Sequence, residues 1–128
     1  MHLREVETTN CWISWGDDQI LRLTTKPQTQ STLESVIEEH EAIKELIGSQ
    51  RVVMLTDIRN MVSATPEARA YTNSKELANT YLAVGLLVGN VFSRVIGSFI
   101  LGINKPDYPV RLFTDEQSAV QWLKQFQA

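Results

Sequence analysis

The stretch Arg51–Arg69, RVVMLTDIRNMVSATPEAR, passes from an apolar run into a polar group and then into the start of a helix. Val52, Val53, Met54 and Leu55 are continuous apolar residues, the pattern of a strand covered on both faces rather than on one. Thr56, Asp57 and Arg59 follow at the carboxyl end of that strand, the end at which open parallel sheets hold their ligands. Thr65, Pro66 and Glu67 read as N-cap, N1 and N2 of a helix, because the Thr hydroxyl accepts from a free backbone amide and Pro at N1 lacks only a donor that would have no partner. A strand-to-helix junction of this kind locates a candidate site without specifying a reaction.

Outward from it, the same alternation continues. Cys11–Trp15 and Ile20–Thr24 flank the polar loop Gly16-Asp17-Asp18-Gln19, a hairpin signal and the one antiparallel pair legible here. Ser31-x-x-Glu34 has the form of a capping box ahead of Leu33, Val36, Ile37, Ile43, Leu46 and Ile47 at helical spacing, with Gly48 as the stop. The expected order is then strand 52–58, helix 66–80, strand 82–88, helix 92–103, strand 110–113 and helix 116–126. The last helix opens on a second capping box, Thr114-x-x-Gln117, and carries Ala119, Val120, Leu123 and Phe126 on one face. Alternating elements of this size require right-handed crossovers and a mainly parallel sheet. The reading is an α/β fold of order ββαβαβαβα: one domain over residues 1–128, a five-stranded mixed sheet packed with four helices, and Val52–Leu55 and Val84–Val88 central and buried.

Composition narrows the function classes. With 128 residues, 43% of them hydrophobic, the chain suits a single core. A formal charge of −3 supplies no basic field for phosphate backbones, so nucleic acid is not an expected partner. The longest apolar stretches, Tyr81–Val88 and Val95–Ile103, are interrupted by glycine or serine and fall short of the ~20 residues that span a bilayer. The amino-terminal MHLREVETT has no apolar signal core, so a cytoplasmic protein without membrane attachment is expected. The one cysteine, Cys11, sits in a strand where burial is its usual fate. The two histidines, His2 and His40, have no ligand-spaced neighbours, and neither a metal nor another cofactor is expected.

The element order, together with TDIR at 56–59, PEARAY at 66–71, SRVIGSF at 93–99 and RLFTDE at 111–116, resembles the STAS or SpoIIAA-like family, and within it small bacterial STAS-like proteins. That resemblance implies a SpoIIAA-like fold and a regulatory or protein-interaction role. In the antagonists of that family, the helix start after the Asp-ended strand carries a serine that a partner kinase phosphorylates. The corresponding stretch here is SATPEA, residues 63–68, which lacks that signature, so the resemblance implies no phosphorylation switch.

Candidate site residues follow from the strand ends. Asp57, Arg59, Ser63, Thr65, Ser93 and Arg94 are expected on one surface, where two helix N-termini add positive potential and favour an anionic group on a ligand or partner. Each has a plainer reading. Asp57 can brace its own loop or pair with Arg59 or Arg69, Thr65 can serve only as a cap, and Arg94 can sit in a surface ion pair. His40, at the margin of the first helix's apolar face, reads as a packed or exposed side chain rather than a general base. The stretch 92–103 is apolar over more than the ~100° of a surface helix. Phe92, Val95, Phe99 and Ile103 are therefore expected either to form a homodimer interface or to pack inside the domain. With no nucleophile–base pair, metal set or phosphate loop, the expected function is a non-enzymatic regulatory or interaction module. The alternative is a module binding a small apolar ligand or lipid, in keeping with the architecture that SpoIIAA-like folds share with CRAL-TRIO-type lipid-transfer domains.

Overall fold

The computed structural model describes residues 5–89, 91, 93–95 and 106–127. Its strands are β1 (Glu5–Glu7), β2 (Cys11–Trp15), β3 (Ile20–Thr25), β4 (Thr29–Ser31), β5 (Val52–Asp57), β6 (Met61–Ala64), β7 (Tyr81–Leu87) and β8 (Val110–Phe113). Its helices are α1 (Leu33–Ile47), α2 (Pro66–Ala70), α3 (Lys75–Ala78) and α4 (Glu116–Lys124), with a 3-10 turn at Tyr71–Asn73. Val91 and residues 93–95 are also helical.

The main sheet runs β1-β2-β3-β5-β7-β8. β1, β2 and β3 are antiparallel neighbours, and every pairing from β3 to β8 is parallel. β5 and β7 are thus interior strands, and Val52–Leu55 and Val84–Val88 are buried throughout. Their continuous apolar character comes from a sheet with helices on both sides. Alternate residues of β5 point to opposite layers: Val52 and Met54 pack with Ile43 and Ile47 of α1, whereas Val53 and Leu55 pack with Ala119 and Leu123 of α4. Burying a side chain such as Ile43 or Leu123, at 1% and 0% exposure, contributes about 1.5–3 kcal/mol.

The α/β class and the mixed, mainly parallel sheet are as expected, but the count is not. The main sheet has six strands rather than five, because β1 adds a second antiparallel pair through Glu5↔Ser14, Val6↔Ile13 and Glu7↔Trp12. A separate parallel ladder joins β4 to β6, with Gln30 opposite Ser63 and Ser31 opposite Ala64. Such three- and four-residue strands carry too few side chains for a period-2 pattern to show.

Both helix N-caps stand one residue beyond their expected places, and only that of α1 forms a reciprocal box. Ser31 is occupied in β4, where its carbonyl accepts from the Thr65 amide at 3.0 Å, so Thr32 becomes the N-cap of α1 and pairs reciprocally with Ser35. At α4 the cap is Asp115, whose carboxylate accepts from the Ser118 amide at 2.9 Å. Gly48 closes α1 at φ +69, donating to the Lys44 carbonyl, as glycine does at a left-handed helix end.

The continuous helix expected over 66–80 is broken into α2, the 3-10 turn and α3. Tyr71, Thr72 and Asn73 are weak helix formers, the Ser74 hydroxyl starts α3 by accepting from the Leu77 amide, and the Thr72 carbonyl accepts instead from Tyr108 Oη at 3.1 Å. Of the stretch 92–103, Phe92, Phe99 and Ile103 lie outside the described residues.

Candidate functional site

At the carboxyl end of β5, Asp57 and Arg59 form a closed unit. Asp57 Oδ1 accepts from the Arg59 backbone amide at 3.0 Å and from its Nε at 3.0 Å, while Nη2 donates to Oδ2 at 2.7 Å. The carboxylate therefore braces the turn that follows the strand and holds the guanidinium in a bidentate pair, raising the guanidinium pKa further. The Arg59 side chain is 49% exposed and that of Asp57 16%, so the pair sits at the surface with its carboxylate partly covered. Gly89 approaches it so closely that a Cβ there would lie 3.1 Å from Arg59 Cγ. Ser93 is fully buried, its Oγ accepting from the Gly89 amide at 2.9 Å. Asp57, Arg59, Gly89 and Ser93 are thus brought together, and Arg94 is exposed on the adjoining helical residues.

Ser63 and Thr65 follow on β6 and at the start of α2, in a segment whose Met61 and Ala64 pack against Ile58 and Val88 at the same strand ends. Ser63 lies on the β4–β6 ladder, and Thr65 caps α2 by accepting from the Ala68 amide at 3.1 Å. Arg69 Nη1 donates to the Ala64 carbonyl.

A pocket lies between α1, the sheet face of β3, β5, β7 and β8, and the broken segment α2–α3. Its volume is about 130 Å3. Leu23, Met54, Val84, Leu86 and Val110 form its floor, Val36, Glu39, His40 and Ile43 come from α1, and Ala64, Ala68, Tyr71, Leu77, Tyr81 and Tyr108 complete the wall. The spacing 36, 39, 40, 43 is one helical face, so α1 delivers two polar side chains into an apolar space. Tyr81 and Tyr108 meet edge to face at 5.7 Å, and burial pushes both phenols well above their ordinary pKa.

Polar groups in this wall lack ordinary partners. His40 is 5% exposed, and neither ring nitrogen has a hydrogen-bond partner among the described residues. Thr56, 9% exposed at the end of the same β5 face as Met54, has an equally unpartnered Oγ1. Burial, seconded by the Lys44 charge, holds the imidazole below its ordinary pKa, so the neutral ring is favoured. Its only ring neighbour among the described residues is Tyr71, edge-on at 6.2 Å. Next to it, burial raises the Glu39 carboxyl to about 7. Cys11 Sγ donates to Glu39 Oε2 at 3.2 Å, and burial pushes that thiol far above its usual range.

The groups turned into this space can donate and accept hydrogen bonds. The neutral imidazole offers one donor and one acceptor, the Thr56 hydroxyl offers both, and the remaining surface is apolar. Among the described residues no group of His, Cys, Asp or Glu has the arrangement of a metal site, and no helix is long and apolar enough to cross a membrane. The sequence signal for this site was present but faint: Thr56 stands at the strand end, and His40 stands three residues before Ile43. Nothing in periodicity alone distinguishes a polar residue at the margin of an apolar face from one turned fully into it.

Comparison with known proteins agrees with this architecture. An uncharacterized protein of the DUF3478 family from Shewanella loihica PV-4, whose crystal structure has a SpoIIAA-like fold, is similar at TM-score 0.58 and 17% identity, over 92% of this chain and 98% of that one. A protein of unknown function from Arthrobacter sp. FB24 is 28% identical over 94% of this chain and 98% of its own, at TM-score 0.36. No curated protein matches. The fold is SpoIIAA-like, and with residues 12–127 matching its model, the chain belongs to the family of the domain of unknown function DUF7793.

Proposed function

We propose that this chain is a non-enzymatic STAS-like module that binds a small, largely apolar molecule in the pocket beneath α1 and acts through that occupancy on a partner. The observation that carries the reading is His40, buried at 5% exposure in the pocket wall with both ring nitrogens unpartnered among the described residues. Leaving a buried polar group unsatisfied costs about 1–3 kcal/mol, and proteins retain such groups chiefly where something else completes them. The volume of about 130 Å3 favours a compact ligand over a lipid, since drug-sized sites begin near roughly 300 Å3. Native mass spectrometry of protein isolated from its own source tests the reading. A mass excess released on denaturation supports it. Recovery of the bare chain, together with no response of pocket amides to toluene in an NMR titration, sinks it.

A second reading, the homodimer, rests on Val91 and Val95, 73% and 49% exposed and one helical turn apart. Apolar side chains so placed are suited to a protein contact. Monomeric sedimentation at tens of micromolar would remove that reading.

A further inference from the structure

We infer that the pocket selects an uncharged molecule of roughly six to ten non-hydrogen atoms, apolar over most of its surface and carrying one hydroxyl-like group that both donates and accepts, and that His40 and Thr56 are the residues that select it. The inference rests on the pocket being a binding site and adds which chemistry enters it.

Size comes first. A dry apolar cavity of roughly 150 Å3 accommodates a single benzene ring, and this one has about 130 Å3. Polarity follows from the unpartnered atoms. A neutral imidazole has one N–H and one bare nitrogen, and both are unpartnered here, as is Thr56 Oγ1. The two ring nitrogens face away from each other, so one ligand group reaches only one of them. A hydroxyl suits either, donating to the bare nitrogen or accepting from the N–H, and its remaining capacity serves Thr56 Oγ1.

Charge is opposed chiefly by desolvation. Charges of both signs act on His40, Lys44 against Glu76 and Glu41, so the surroundings favour neither sign of ion outright. Arg69 also lines the pocket, its Nη1 donating to the Ala64 carbonyl. Any ion entering this space would also leave its hydration behind, the dominant cost for a charged group.

The test compares single-ring probes, phenol and toluene of equal size with the slightly larger benzylamine and benzoate, titrated into the intact chain with affinities read from amide shifts of pocket residues. Phenol is expected to bind about tenfold or more tightly than toluene, with benzoate and benzylamine weaker than both. In His40→Leu and Thr56→Val the advantage of phenol over toluene should shrink severalfold. Each change removes an unsatisfied polar atom in favour of an apolar group of similar size, so both variants should fold. Equal binding of phenol and toluene overturns the inference and leaves the pocket a binding site. Tight binding of either charged probe overturns the exclusion of ions, and a phenol preference that survives both substitutions overturns the roles of His40 and Thr56. If none of the four binds, the binding site itself falls and the inference with it.

Discussion

Glu39→Gln isolates the least ordinary titration in the molecule. The carboxyl is held protonated up to about 7 against an ordinary value of 4.5, mainly by burial, so between these values the native state keeps a proton that the unfolded chain has released. Stability contributed by this group is therefore greatest below 4.5, declines as pH rises, and is fully lost above about 7. At about 1.4 kcal/mol per pH unit the ceiling is about 3 kcal/mol, and the partial exposure of Glu39 brings the expectation to about 2 kcal/mol. His40 works in the opposite sense: its depressed pKa makes its contribution fall away as pH drops below 6.5. The wild-type profile alone therefore conceals the Glu39 contribution, and the difference between wild type and Glu39→Gln reveals it. Urea unfolding of both proteins at pH 5, 6, 7 and 8 should show the glutamine variant gaining about 2 kcal/mol relative to wild type across that range. A difference that stays flat with pH refutes the claim that Glu39 is held neutral by its surroundings.

Thr65→Ala should cost about 1 kcal/mol, because it deletes the hydroxyl that accepts from the Ala68 amide at the start of α2; thermal unfolding checks it. Gly48→Ala should cost about 1–2 kcal/mol by the same measurement, since φ is +69 there and no contact within 4 Å compensates. Gly89→Ala places a methyl 3.1 Å from Arg59 Cγ, so the Arg59 Nε–H resonance should shift as the bidentate pair with Asp57 opens. Arg59→Ala and Arg94→Ala should each lower stability by under ~1 kcal/mol, because both side chains lie at the surface; a larger fall in melting temperature would mark them as structural braces.

What the sequence showed and what it hid divide along one physical line. Long apolar runs and helix punctuation report on burial and on backbone chemistry, both local. Hence β5, β7, the β2–β3 hairpin, α1 with its Gly48 stop and the Thr65 cap were all legible. The capping box of α1 slipped by one residue because the choice between Ser31 and Thr32 depends on the β4–β6 ladder, formed with residues distant in the chain. The candidate site was half legible for the same reason. Asp57 and Arg59 meet because they share one turn, and Ser93 reaches them through Gly89. Ser63 and Thr65 follow through β6, whose pairing with β4 joins residues distant in the chain and leaves no local signal.

The two faces of the sheet differ in how they treat polar side chains. Toward α4, Ile20, Val53, Leu55, Ala83, Leu87, Ala119 and Leu123 close an all-apolar cluster, as expected where packing alone decides the residue. Toward α1, the same strands and the same crossover geometry enclose a space of about 130 Å3, into which the chain turns a carboxyl, an imidazole and a hydroxyl. Leucine at position 40 and valine at 56 would serve packing better. Each unsatisfied group forgoes about 1–3 kcal/mol in a fold whose whole stability is about 5–15 kcal/mol. Among the described residues that cost is borne on the face toward α1, where a bound group completing His40 and Thr56 would recover it.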